Sequence, residues 1–325
     1  MSCLKPFLAS AALILSVASA TFASEAHTVF KSVDNGTSWV AYDTGIPKTT
    51  RTNAFGKLGK MLFAGTDSGL FFTERSSQSW KAIVGLPTKL SRIISIATAG
   101  ANVFVGTDGN GMFVSTDKGE SWTRNTSLQV KKVRALLFEH GTLYAGTDTD
   151  GVFVSDDYGI SWHNLMGGLP ADAQVFDLAM VKGKLFTALY AKGLYAWQDG
   201  GNCWTKSGNV RPLVLASSRD TLIAGHNPGG LYWSDNAGVS WRKGTGSSVD
   251  GVSPLRDLLC DAPVWEAGAN DKLAFAGAAD GIYLSTDHGR TWMRSRTGLP
   301  SNGPGIAFLV TPDLVLAATT IVQSE

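Results

Sequence analysis

Cysteine is scarce in this sequence, with three residues in 325, at positions 3, 203 and 260. A small disulfide-stapled scaffold is thereby excluded, because such folds are short and dense in cysteine. No charge of either sign dominates. Lysine and arginine number 28 against 27 aspartates and glutamates, which excludes the basic surface that binding to nucleic acid or an anionic membrane draws on. Long apolar runs are missing too. The stretch Pro6–Val17 ("PFLASAALILSV") falls short of the roughly 20 residues that a helix needs to span a bilayer. Five histidines (His27, His140, His163, His226, His288) are scattered without metal-ligand spacing. No Gly-x-Ser-x-Gly elbow occurs. The segment "GTDGNG" (106–111) joins two strand-like runs, so it reads as a hairpin turn and not as a phosphate loop. No metal or other cofactor is expected.

What is present begins with a leader. Lys5, the short apolar stretch after it and Ala18-Ser19-Ala20 read as an export signal over residues 1–20, with cleavage before Thr21. Removing it takes away Cys3 and Lys5 and leaves 27 basic and 27 acidic residues. The expectation is an exported, periplasmic or secreted protein that acts as a single copy, with no stable membrane insertion once the signal is gone.

The remainder repeats. Glycine (37 residues) and tryptophan (10 residues) are plentiful. "SVDNGTSW" (32–39), "STDKGESW" (115–122), "SDDYGISW" (155–162) and "STDHGRTW" (285–292) share one pattern, Ser-x-Asp-x-Gly-x-Ser/Thr-Trp. Trp39, Trp80, Trp122, Trp162, Trp204, Trp241 and Trp292 follow one another at intervals of 41, 42, 40, 42, 37 and 51 residues. A period near 40 is that of a propeller blade, one four-stranded sheet per repeat. Each unit reads alike: an apolar run ("RIISIATAG", 92–100), a run ending in Gly-Thr-Asp ("VFVGTD", 103–108), a third with aromatic character ("GMFVS", 111–115), the motif turn, and a strand opening with Trp. The first residues after the leader (27–42) supply only the last two strands of a unit, and residues 305–320 only the first two. The sequence therefore predicts an all-β fold over 21–325, a single seven-bladed β-propeller of four-stranded antiparallel blades closed by strands from both ends, which removes the open edge.

In the motif a short Asp side chain accepts hydrogen bonds from nearby N–H groups and stabilises the turn between third and fourth strands. Gly permits a positive φ, and Trp fills the wedge between sheets. The pattern resembles the Asp-box, or BNR repeat, of the sialidase-like propellers, over nearly the whole chain after the leader. Some copies are imperfect. "TERSSQSW" (73–80) has Arg75 for Asp, "WQDGGNCW" (197–204) keeps Asp199 but has Cys203 for Ser, and "SDNAGVSW" (234–241) has Asn236. Such loss is tolerable in turns and odd for catalysis, so Asp34, Asp117, Asp157, Asp199, Asn236 and Asp287 are assigned as structural turn residues.

Function on a propeller lies at one end of the central channel, among loops entering the first strand and leaving the second. Counting back from the Gly of "AGT" or its equivalent places Arg51, Arg92 and Arg211 at the start of innermost strands. Matching "RALLF" to "RIISI", with a hairpin two residues shorter, adds Arg134. Asp67, Asp108 and Asp148 end the neighbouring second strands, with Tyr190 at the corresponding place in a fourth blade. The long segment 244–266 between fifth and sixth blades falls on the same face and contributes Trp265 and Glu266 as candidates. Two readings compete: the arginines pair with the aspartates around the mouth, or they converge as an anion-binding funnel.

The resemblance to sialidases implies an arginine triad for the substrate carboxylate, a Tyr–Glu nucleophile and an Asp acid/base. The Phe/Tyr-Arg-Ile-Pro motif of those enzymes is missing, and "VRPLV" (210–214) and "SRIIS" (91–95) are poor substitutes. The endoxyloglucanases that the chain also resembles carry two propellers, where this chain has room for one. In layout it is most similar to exported single-propeller proteins like the photosystem II stability/assembly factors, which implies a non-catalytic module that binds a partner through an arginine-rich face. The expected function is therefore capture of a protein or anionic ligand, with no catalytic residues. The alternative is a glycoside hydrolase or sialidase-like carbohydrate-active propeller. Cys203 falls in a motif turn and Cys260 in the long segment on the opposite face, farther apart than the about 7 Å a disulfide tolerates. Thiol titration of the mature protein under denaturing, non-reducing conditions should therefore count both as free, and a count of zero would overturn the assignment of faces.

Overall fold

The computed structural model describes residues 26–87, 92–226, 229–246, 263–300 and 303–321. These residues form seven antiparallel sheets, the blades of a propeller. The expected export signal, most of the long segment 244–266 with Cys260, and residues 322–325 lie outside the described residues. Blade 2 shows the plan: Ile93–Ala99 is innermost, followed outward by Asn102–Thr107, Met112–Ser115 and Thr123–Arg124. Blades 1, 3, 4, 5 and 6 begin with the innermost strands Thr52–Leu58, Val133–Glu139, Val175–Val181, Pro212–Ser218 and Val264–Ala269.

Blade 7 takes its inner strands, Gly305–Thr311 and Leu314–Ile321, from one end of the sequence. Its outer strands, Ala26–Ser32 and Val40–Ala41, come from the other end. The seam is a full ladder, with Val29 opposite Ala318 and Lys31 opposite Leu316. One blade departs from four strands. Thr245–Gly246 adds a short parallel strand at the outer edge of blade 6, beside Thr291–Ser295.

The core is divided among the gaps between blades. Phe63 and Leu70 of blade 1 pack on Ile93, Val103, Val105 and Phe113 of blade 2, and Phe30, Val315 and Ala317 of blade 7 on Phe275, Ile282 and Leu284 of blade 6. Each such side chain, fully buried, contributes about 1.5–3 kcal/mol. Alternation along a strand presents one face to each neighbouring blade, so both faces are apolar and the strands read as short continuous runs.

Blades approach closely where the second strand of one meets the innermost strand of the next. A methyl group on Gly65 would lie 2.4 Å from Ile93 Cγ2, and one on Gly146 2.3 Å from Val175 Cγ1. On Gly277 it would meet the Gly305 carbonyl oxygen at 2.0 Å. Glycine is therefore required in the "AGT" segments by the neighbour's proximity.

The motif turns lie at the end of the ring where first strands lead into second strands. In "STDKGESW" the Ser121 N–H and hydroxyl donate to the two oxygens of Asp117 (2.9 and 2.5 Å), Ser115 Oγ donates to the same carboxylate, and the Gly119 N–H donates to Ser115. Asp34, Asp157 and Asp287 repeat this set. The side-chain hydrogen bonds hold Asp34, Asp117 and Asp157 down at about 2. Asn236 keeps the geometry by reversing one bond, since its amide donates to Ser240 Oγ while its carbonyl accepts Ser240 N–H. Asp199 lies in a short 3-10 turn, Asp199–Gly201. Arg75, where Asp is lost, reaches across to the Asp313 carboxylate of blade 7. Three of the motif tryptophans tie their blade to the one before. Trp39 Nε1 donates to Ser295 Oγ (2.8 Å), Trp80 Nε1 to the Tyr42 carbonyl (2.6 Å) and Trp204 Nε1 to the Leu165 carbonyl (2.5 Å).

Deleting residues 305–325 removes both inner strands of blade 7 and exposes the ladder edge of Ala26–Ser32. The truncated protein should lose the single cooperative unfolding transition of the ring in calorimetry. An unchanged melting temperature would contradict closure as the source of that cooperativity.

Candidate functional site

The channel mouth is built by one irregularity repeated in every blade. Each innermost strand slips by one residue against its partner, between Thr52 and Ala54, Ile93 and Ser95, Val133 and Ala135, Val175 and Asp177, Pro212 and Val214, Val264 and Glu266, and Gly305 and Ala307. A bulge of this kind at a rim re-aims a side chain and leaves its residue out of the ladder. The bulged residues are Asn53, Ile94, Arg134, Phe176, Leu213, Trp265 and Ile306, and all seven line one cavity of about 510 Å³ at the mouth.

The structure corrects three expectations. Arg134 does not begin its strand in the place of Arg92. Ile93 opposite Thr107 and Val133 opposite Thr147 give both hairpins the same length, so Lys132 is the counterpart of Arg92 and Arg134 is the bulged residue, equivalent to Ile94. Trp265 and Glu266 belong to the innermost strand of blade 6 and not to a loop before it. Arg211 begins its strand as expected, yet it is absent from the mouth lining and is exposed, its stem 3.9 Å from where a methyl on Gly193 of blade 4 would sit.

Arg51, Arg92, Lys132 and Arg134 do line the mouth, with Asp108 among them. The backbone fixes the pairing of strand starts and ends, since the Asp67 N–H donates to the Arg51 carbonyl and the Asp108 N–H to the Arg92 carbonyl. Arg92 is ion-paired with Asp108 and lies 4.0 Å from Asp67, whose carboxylate also accepts from Asn53 Nδ2 (2.8 Å). Lys132 Nζ is 2.7 Å from Asp108, and Arg134 Nε is 2.6 Å from Asp148. Burial pulls the Asp108 carboxyl up, but the bonds and charges of Lys132 and Arg92 outweigh it and hold the group below its ordinary range. The Arg134 guanidinium also covers the Phe176 ring at 4.5 Å, and Phe176 stacks on Tyr190, 5.2 Å between centroids. Tyr190 and Trp265 are 51% and 40% exposed, large apolar surfaces left open to solvent beside the mouth. Arg51 differs from the other cations. It is in no ion pair among the described residues, and its Nε is buried without a hydrogen-bond partner.

Below the bulges the channel narrows to a throat of about 170 Å³. Two acids line it, Asp177 of blade 4 and Glu266 of blade 6, each the residue after a bulge. Asp177 accepts the N–H groups of Leu178 (2.8 Å) and Leu215 (2.7 Å), the second from blade 5. Burial pushes it up to about 7, against those two bonds. Glu266 is raised well above its ordinary value, first by burial, then by the charge of Asp177. The Ala267 N–H and the charge of Arg51 oppose the rise. Asp177 had drawn no attention in the sequence, although an acid between apolar neighbours in "VFDLAMV" (175–181) was the available signal. Among the described residues no group of three or more His, Cys, Asp or Glu side chains is arranged to hold a metal.

No family model matches this chain, and no curated protein matches its sequence. Solved structures match its fold. YCF48 bound to D1 peptide superposes with a TM-score of 0.63 at 15% identity, over 84% of this chain and 94% of that one. YCF48 from Cyanidioschyzon merolae gives 0.62 at 13% identity, covering 85% and 97%. A GH74 xyloglucanase from Xanthomonas campestris gives 0.57 at 16%, covering 74% of this chain and 44% of that protein. These likenesses are of fold, that of a seven-bladed propeller.

The throat acids carry a pH dependence of defined sign. The unfolded chain releases their protons near pH 4, whereas the folded protein holds that of Asp177 to about 7. Stability that rests on the neutral carboxyls is full below about pH 4 and declines as pH rises toward 7. Denaturant unfolding from about pH 5 to 7.5 should show this decline. A double variant, Asp177→Asn with Glu266→Gln, should flatten it, and an equal slope in the variant would refute the burial argument.

Proposed function

We propose that this protein is an exported, non-catalytic binding module that captures a segment of a partner protein at the mouth of its channel. The observation that carries the reading is Arg51. Arg92, Lys132 and Arg134 already face carboxylates across the rim, and exposed pairs of that sort contribute at most about 1 kcal/mol to folding. Arg51 has a buried, unsatisfied Nε at the lining of the same cavity. A carboxylate or carbonyl from a partner would pair with the part-exposed end of its guanidinium, and a hydrogen bond to a charged group is worth about 1.5–3 kcal/mol. The exposed rings of Trp265 and Tyr190 would supply apolar contact beside it, as aromatic residues do at interfaces. YCF48, which shares the fold, has been seen with a D1 peptide.

This reading narrows the anion funnel expected from four arginines. Most of the rim charge is spent internally, leaving one guanidinium to engage the ligand. The arrangement is also unsuited to the glycosidase alternative assembled from Asp67, Asp108 and Asp148. A general acid needs a raised pKa, and Asp108 is held low by two cations.

The test is affinity capture from the exported fraction of the native cell, with mass spectrometry, using wild type and single variants. Arg51→Ala should reduce recovered partner at least tenfold with an unchanged melting temperature, and capture by wild type should weaken with salt. Arg211→Ala should capture normally. Undiminished capture by Arg51→Ala, or wild-type turnover of sialosides or β-glucans, would overturn the proposal.

A further inference from the structure

The mouth has an unsatisfied donor, and the throat beneath it has the opposite shortage. Asp177 and Glu266 face the same channel from blades 4 and 6, separated by Val214 of blade 5. At the equivalent place the other blades carry Ala54, Ser95, Ala135 and Ala307, so the acids are not a feature of the repeat. Two backbone donors serve Asp177 and one, from Ala267, favours charged Glu266. No lysine or arginine among the described residues pairs with either, whereas every carboxylate of the rim has a cation at hand. Enclosing two carboxyls in the channel with no cation in hydrogen-bond contact disfavours their ionisation, which is why both are raised. Above them stands a collar that is mostly apolar, Ile94, Phe176, Leu213, Trp265 and Ile306.

We infer that the throat is a pocket for a lysine residue of the bound segment, its ammonium between Asp177 and Glu266 and an acceptor oxygen of the same residue on Arg51. This rests on the reading of the mouth as a binding site and names the residue that enters it. A lysine suits the geometry on three counts. Its methylene stem can lie along the apolar collar while its head reaches polar groups beyond. Its ammonium is a compact charge with three donors, able to serve two carboxylates from different blades, where the planar guanidinium of arginine prefers one carboxylate held by two parallel bonds. A metal ion would need more ligands than two carboxylates, and none of the described side chains completes such a set. The lysine thereby gives a partner to the Arg51 guanidinium and to the carboxyls of the throat together.

Entry of the ammonium favours the ionised acids, so binding releases protons and strengthens as pH rises from about 6 to 8. The other charged groups facing this space are Arg92, Lys132 and Arg134 with Asp67, Asp108 and Asp148.

The experiment uses two defined probes, Nα-acetyl-lysine and Nα-acetyl-norleucine, titrated against the full-length protein by nuclear magnetic resonance. They share the carboxylate and the stem and differ in the ammonium. Wild type should bind the lysine probe at least tenfold more tightly, with the gap widening from pH 6 to pH 8. Glu266→Gln should erase the gap without weakening the norleucine probe, and Asp177→Asn should reduce it. Arg51→Ala should weaken both probes alike. Equal binding of the two probes by wild type, no measurable binding of either, or an undiminished gap in Glu266→Gln would overturn the lysine pocket. Equal binding combined with partner capture that still depends on Arg51 would leave the reading of the mouth standing. Melting curves of each variant confirm the ring is intact, and Glu266→Gln alone decides the matter if Asp177→Asn fails to fold.

Discussion

Neighbouring blades touch backbone to side chain at one level of the channel, and that contact governs everything above and below it. Gly65 lies against Ile93 and Gly146 against Val175, closer than any side chain would allow. Because the second strand of one blade is pressed on the innermost strand of the next, the seven innermost strands are held at a fixed radius. Their starts are then forced to crowd around a mouth of set width. The slip in register just past each start is how the ring uses that crowding. It turns one side chain per blade toward the axis while the strand continues beneath.

Electrostatics at the mouth follow from this radius. A cation at the start of one strand is placed beside the acid that ends the second strand of the same or the preceding blade, so Arg92 sits between Asp108 and Asp67, and Lys132 faces Asp108. Such alternation stabilises little, but it neutralises the rim and fixes the direction of long side chains. What stays unbalanced is set apart by depth. Arg51 is unsatisfied just before the bulge of its strand, and Asp177 and Glu266 lie just after theirs. Asp108 and Glu266 are both carboxyls facing one channel, yet counter-ions hold the first low while burial drives the second high.

Much of the architecture was legible in the sequence because it is written in residue types. The spacing of the tryptophans counts blades, since each ring fills a wedge that recurs once per sheet, and the half-units at the two ends announce the seam that Val29 and Ala318 form. The turn motif was legible for the same reason, down to the tolerance for Asn236, whose amide replaces one oxygen by a donor. The register slip was not legible. A bulge has no residue signature here, being occupied by Asn, Ile, Arg, Phe, Leu, Trp and Ile in turn. Matching "RALLF" to "RIISI" by eye therefore put Arg134 two residues from its true equivalent, and Lys132 went unnoticed. Arg211 was in register and still missed the mouth, because backbone position does not fix where a long flexible side chain points. Asp177 was passed over because one acid in an apolar strand looks like noise until its neighbour across the channel is known.

The bulged residues are excluded from the ladder and line an open cavity, although Ile306 is also buried in the cluster between blades 7 and 1 and Leu213 packs against that between blades 5 and 6. Replacing Ile94, Phe176 or Trp265 therefore alters neither a hydrogen-bonded rung nor a buried cluster. The variety at these seven places, from Asn53 to Trp265, is what such freedom permits. The propeller thus separates two problems that most folds must solve with the same residues. Glycines, tryptophans and turns hold the wheel together, while most of the bulged positions at its hub are left to be rewritten for whatever must be recognised.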